Sequence, residues 1–278
     1  MKKAIFTIAV FLISFLAFAQ DYSFSITKSG EGKQILIFIP GFACSGEVWD
    51  ETVENLKNNY TCYVLTMAGF SGIAPEDNPS FEHWKKQIAG FIKQEKIEKP
   101  ILIGHSMGGG LALAIVSDFP DLCSKIVVVD ALPCLMALTN PNFQSNPDND
   151  CSDVINRITN MNEEQFAQMQ KISVAALTSG TLKFDEIVDW GLKSDRKTYA
   201  KIFCDFSNTD LRERIKKITA SSLILLESQF KNIETAINEQ YKNISTAQLK
   251  YANKGLHFIM YDDKEWFINQ IKDFIEGQ

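Results

Sequence analysis

The sequence predicts an open α/β sheet, mostly parallel and doubly wound, with helices on both faces, and three observations carry that expectation. Short β-branched apolar runs recur along the chain, stretches of helical periodicity separate them, and one interval between two runs is far too long for a single crossover helix. Near-continuous apolar strands are buried on both faces, which is the condition of a parallel sheet between helical layers. The long interval marks an insertion, expected as a helical cap over residues 131–208, with the core formed by 20–130 and 209–278.

The expected strands are KQILIFIP (33–40), TCYVLTM (61–67), PILIGHS (100–106), SKIVVVD (124–130), SSLILLE (221–227) and AQLKYA (247–252). Helices are expected over 46–58, 79–96, 107–119 and 263–276; the third stops at Pro120, and the last is amphipathic through Trp266, Phe267, Ile271 and Phe274. A parallel crossover needs only a dozen or more residues, and the stretch between IVVVD and SLILL greatly exceeds that. It opens with the turn-rich TNPNFQSNPDND and continues with helix-like segments around 152–159, 162–177, 184–193 and 196–206.

Residues 1–19 read as a signal peptide: Lys2 and Lys3 precede an apolar run from Ala4 that closes on Ala17-Phe18-Ala19, a small-x-small cleavage pattern. The run is shorter than the ~20 residues of a bilayer span, so the expectation is an exported protein, periplasmic or secreted, with no stable membrane anchor. Removing the two lysines takes the formal charge from −6 to −8, which offers no attraction for nucleic acid or anionic lipid and leaves a small-molecule acyl substrate as the expected partner. The six cysteines contain no C-x-x-C and none stands at ligand spacing from a histidine, so neither metal nor cofactor is expected. Export permits disulfides; Cys134 with Cys151 is the expected pair, and the others read as buried thiols.

The stretch ILIGHSMGGG places Ser106 between Gly104 and Gly108 where a strand ends and a helix begins. A tight strand-to-helix turn tolerates only small residues there and lifts the serine hydroxyl to the carboxyl edge of the sheet, which suits a nucleophile. Acyl transfer also requires two N–H donors for the oxyanion. The Met107 amide is one, and the Phe42 amide, in IPGFACSGEVW after an earlier strand, is the expected second. Only three histidines are available as base. His105 lies inside the turn with its side chain directed away from the hydroxyl, and His83 lies on an outer helix, which leaves His257 on the loop after the last strand.

With IPGF, LIGHSMGG, IVVVDALP and GLHFIMYDDKEWF, the chain resembles the α/β-hydrolase fold superfamily, in the serine esterase and lipase branch with a helical cap, over nearly all of residues 33–278. The resemblance implies Ser106 as nucleophile, His257 as base and the Phe42 and Met107 amides as oxyanion hole. Members with an aspartate nucleophile are disfavoured by the serine at 106. One departure concerns the acid. Members commonly carry an aspartate just after the strand that follows the cap, and here LILLESQF puts Phe230 at that place. Asp130, at the end of KIVVVD, is the chosen acid, since some hydrolases of this fold carry it there; Glu227 and Glu234 are the alternatives, and Asp210 reads as a helix N-cap.

The expected activity is therefore hydrolysis of an uncharged carboxylic ester or related acyl compound through an acyl-enzyme on Ser106. Lid candidates for an apolar acyl pocket are Phe143, Met161, Phe166, Met169, Trp190, Tyr199, Phe203 and Phe206. The rival expectation is a ligand-binding protein that keeps the fold with little or no catalysis.

Overall fold

The computed structural model describes residues 22–180 and 182–277; the expected signal peptide, 1–19, lies outside them. Among the described residues, β1 (Phe24–Ser29), β2 (Ile35–Ile39), β3 (Thr61–Met67), β4 (Ile101–His105), β5 (Lys125–Val129), β6 (Ser221–Leu226) and β7 (Ala247–Tyr251) form one sheet in the order β1-β3-β2-β4-β5-β6-β7. Every neighbouring pair is parallel except β1 and β3. The edge strand β1 has no counterpart among the predicted strands. Its sequence FSITKS buries only Phe24 fully and leaves the other side chains part-exposed or exposed, so it lacks the apolar run by which the inner strands announce themselves.

The helices are α1 (Asp50–Glu54), α2 (Phe81–Gln94), α3 (Met107–Asp118), α4 (Ser152–Thr159), α5 (Glu163–Ala175), α6 (Phe184–Leu192), α7 (Arg196–Ser207), α8 (Glu234–Tyr241), α9 (Ile259–Asp262) and α10 (Lys264–Glu276). Over the expected 46–58 helix, a 3₁₀ turn at Gly46–Trp49 runs into the short α1 instead. The period of two splits each inner strand between two cores. Ile37 and Ile39 of β2 join a cluster with Trp84 of α2 and Leu111 of α3, whereas Leu36 and Phe38 join one with Trp49 and Phe267 of α10. Each such buried side chain contributes about 1.5–3 kcal/mol. Helix α3 is buried along almost its whole length, which its uninterrupted apolar composition requires.

The strand order positions the site. The chain places β3 on one side of β2 and then crosses back to place β4 on the other, so a crevice opens beyond the carboxyl ends of β2 and β4. Ligands of open α/β sheets bind at such a reversal.

Helices α4 to α7 lie in the connection between β5 and β6. Local capping starts two of them: Asn162 and Gln165 form a reciprocal capping box at α5, and the Asp195 carboxylate accepts the Thr198 amide of α7 at 2.8 Å. A disulfide joins Cys151 to Cys204, with Cα atoms 5.8 Å apart, which corrects the expected Cys134–Cys151 pair. Cys151 precedes α4, which packs along α7 where Cys204 sits. Cys134 is instead a buried free thiol close after β5, its amide donating to Gln240 Oε1 at 3.0 Å. The bridge closes a separation of 53 residues, for which loop entropy gives at most about 4 kcal/mol. Thiol reduction is expected to lower the melting temperature by about 5–10 °C in calorimetry, and a Cys151→Ser, Cys204→Ser variant should match the reduced protein.

Candidate active site

Ser106 takes φ 53° and ψ −121° at the junction of β4 and α3. A non-glycine residue at positive φ is strained, and the surroundings hold it there: the Ser106 amide donates to the Val129 carbonyl at 2.8 Å, and its carbonyl accepts from Gly110 at 3.0 Å. The turn needs a bare backbone at Gly108, where a Cβ would stand 2.3 Å from the Ile39 carbonyl oxygen. Gly41 is under the same demand, since a Cβ there would meet His105 Nδ1 at 2.8 Å and Ser106 Cβ at 3.3 Å. The β2 exit thus passes directly against the serine and brings the Phe42 amide with it. Met107 opens α3, so its N–H has no intrahelical acceptor.

His257 is brought in by the loop between β7 and α9. That loop is pinned from three sides: the Ser228 hydroxyl donates to the Gly255 carbonyl at 2.8 Å, Asp262 Oδ2 accepts the Leu256 amide at 2.9 Å, and Asp263 Oδ2 accepts the Asn253 amide at 2.9 Å. Asp262 also accepts the Ser179 amide at 3.1 Å, joining this loop to the segment after α5.

Asp130 follows β5 at φ 45° with its side chain only 1% exposed. Both carboxylate oxygens are engaged: Oδ2 lies 2.6 Å from His257 Nδ1, and Oδ1 accepts the Glu227 amide at 2.7 Å. A carboxylate accepts only, so Nδ1 carries the proton and Nε2 is left as the basic nitrogen. Of the alternatives for the acid, Glu227 lines the same cavity without bonding the imidazole, and Glu234 is exposed at the start of α8. Asp210 is not the expected helix N-cap, since the 3₁₀ turn that follows, Arg214–Lys217, begins after Glu213; its Oδ1 instead accepts the Arg212 amide within the preceding loop at 3.1 Å, and its carboxylate pairs with the Arg212 guanidinium at 2.7 Å.

Ser106, His257 and Asp130 line one cavity of about 420 Å³, whose remaining wall is largely apolar. Of the lid candidates, Phe203 and Phe206 of α7 face it, joined by Leu177 beyond α5 and Leu135 after β5. Tyr199 stands one layer back, its ring 4.5 Å from that of Phe42, and Phe166 packs behind Tyr199. Trp190 is turned away altogether, its indole N–H donating to Glu47 at 3.2 Å. Phe143, Met161 and Met169 are not among the cavity's lining residues.

His105 has a part that the sequence reading missed. Its Nε2 lies 3.0 Å from the His257 carbonyl oxygen, and its ring sits 4.6 Å from the His257 ring. Burial, and secondly the neighbouring His257, holds its imidazole well below the ordinary range, so the ring is neutral and donates from Nε2. The signal for this was the strand period, which puts His105 on the same face as Ile101 and Ile103, where Trp49 and Phe258 also lie. His83 stays outside, 3.3 Å from Glu76 on α2's exposed side.

A family model described as the alpha/beta hydrolase fold matches residues 34–170. The chain is 24% identical over 199 residues to a bifunctional esterase/perhydrolase of Acinetobacter calcoaceticus, a match covering 69% of this chain and 72% of that enzyme. It is 29% identical over 104 residues to a pimeloyl-[acyl-carrier protein] methyl ester esterase of Vibrio parahaemolyticus, covering 37% of this chain and only 39% of that protein. Among solved structures, a thermophilic esterase from Thermogutta terrifontis superposes with a TM-score of 0.77 at 16% identity, covering 94% of this chain and 96% of the other. The enol-lactonase from Burkholderia xenovorans gives 0.76 at 14% identity, covering 91% and 96%.

Proposed function

The chain belongs to the α/β-hydrolase fold superfamily, and from that premise we propose that it is a serine hydrolase of uncharged carboxylic esters. The observation that carries the proposal is the Asp130–His257 bond beside Ser106 in one apolar cavity. The esterase names of the relatives support the reaction class.

In the proposed reaction, His257 Nε2 takes the Ser106 proton as Oγ attacks the ester carbonyl. The Phe42 and Met107 amides receive the oxyanion, and the imidazolium protonates the departing alcohol. Water then attacks the acyl-enzyme with His257 again as base. Asp130 keeps Nδ1 protonated and offsets the positive imidazolium. Among the described residues, no lysine or arginine lines the cavity to pair with an anionic substrate, in keeping with a neutral ester. A serine-reactive fluorophosphonate and a panel of esters of graded acyl length test the proposal together. Labelling at Ser106 with turnover supports it, and neither labelling nor turnover sinks it in favour of a binding protein.

The segment 131–208 is proposed to govern acyl choice as a cap, because it contributes Leu135, Leu177, Phe203 and Phe206 to the cavity. Phe203→Ala is expected to move the optimum to longer acyl chains, by up to about fourfold in kcat/KM per added methylene, with Ser106 labelling by a small fluorophosphonate retained. An unchanged chain-length profile would remove the cap from substrate choice. Export is proposed on residues 1–19, and the Cys151–Cys204 bridge suits an oxidising compartment.

A further inference from the structure

The cavity wall carries a carboxyl that the ester chemistry leaves unused. Glu227 follows β6, and its amide is spent on Asp130 Oδ1, but its carboxyl has no hydrogen-bond or ion-pair partner among the described residues. It is only part-exposed, and it stands beside a second carboxylate, Asp130, whose own oxygens are both taken. Phe230, where a triad acid would stand in the commoner arrangement, lines the same wall and offers no charge. Resting on the serine-ester reading, we propose that Glu227 selects substrates by charge: the group it faces in the cavity must be neutral or cationic, and an anionic group is turned away.

Burial, and secondly repulsion from Asp130, raises the Glu227 carboxyl to about 7, with His257 acting weakly in the opposite sense. Selection therefore tightens with pH. Below that value the carboxyl is neutral and charge matters little; above it the anion attracts a cation and repels an anion. Three titratable groups at or just behind the cavity wall do not share this behaviour. His105 stays neutral, burial pushes the Cys44 thiol up to about 12, and Tyr241, whose hydroxyl donates to the Ala131 carbonyl behind Asp130, is raised well above its ordinary value. Lys231 and Glu234, on the turn and helix that follow Glu227, are exposed. A requirement shared by every ester, such as an unprotonated Nε2 on the base, cancels in a ratio of substrates.

The test uses isosteric esters ending in a quaternary ammonium, a tert-butyl or a sulfonate group, whose charges do not change with pH. One series carries the terminus on the acyl side and another on the alcohol side. The expected result, in at least one series, is that the cation-to-anion ratio of kcat/KM rises about tenfold between about pH 6 and pH 8.5. The change should lie mainly in KM, and the near-isosteric Glu227→Gln should make the ratio independent of pH. Because the wild-type measurement requires no variant, a Glu227→Gln protein that failed to fold would not shield the proposal. A flat wild-type ratio with the neutral ester still turned over overturns the role of Glu227 alone, as does a pH-dependent ratio that survives Glu227→Gln. Turnover of none of the esters overturns the serine-ester reading and this inference with it.

Discussion

Replacing Ser106 with alanine is expected to lower kcat for any ester substrate by on the order of 10⁶, to the level that the oxyanion donors and binding alone sustain. Fluorophosphonate labelling should vanish with it. The hydroxyl faces the cavity rather than the packed core, so the melting temperature should change little. Ser106→Gly separates chemistry from strain: it should be equally inactive yet more stable by about 1 kcal/mol, because glycine adopts φ 53° without the cost a Cβ carries. A Ser106→Ala protein that kept wild-type turnover would remove the nucleophile from the mechanism.

Asp130→Asn is expected to lower kcat by about 10³ to 10⁴, by analogy with aspartate removal in other serine triads. The local hydrogen bonds explain why so small a change should matter. Oδ1 accepts the Glu227 amide, so the asparagine oxygen must take that place and its NH₂ must face His257 Nδ1. That donor forces Nδ1 to become an acceptor and moves the imidazole proton to Nε2, the nitrogen that receives the Ser106 proton in the proposed reaction. Ser106 should remain in place and folding should survive, since the bond to the Glu227 amide is kept and the one to His257 is kept with its direction reversed. Glu234→Gln, at an exposed site, should leave turnover near wild type, and Glu227→Gln should fall far short of the Asp130→Asn loss. A collapse in either glutamate variant while Asp130→Asn stays active would move the acid elsewhere.

Much of this architecture is legible in the sequence because it rests on local rules. The inner strands are apolar runs since burial on both faces demands it, Gly104 and Gly108 flank Ser106 because a tight strand-to-helix turn admits only small residues, and the scarcity of histidines narrows the base by elimination. The strand β1 escaped because an edge strand exposes half its residues, and its antiparallel pairing with β3 is set by a partner some 40 positions along the chain. The tertiary structure alone decided which cysteine meets Cys151, since that depends on α4 lying along α7. It also decided that Phe203 and Phe206 face the cavity while Trp190 turns to Glu47. The bond between Asp130 and His257 belongs to the same class: the two residues are 127 positions apart, and the sequence, while favouring Asp130 at the end of KIVVVD, left Glu227 and Glu234 as alternatives. Strand period and turn geometry act over a few residues and can be read along the chain. Contacts between distant segments depend on how the sheet orders its strands, and no local pattern encodes that order.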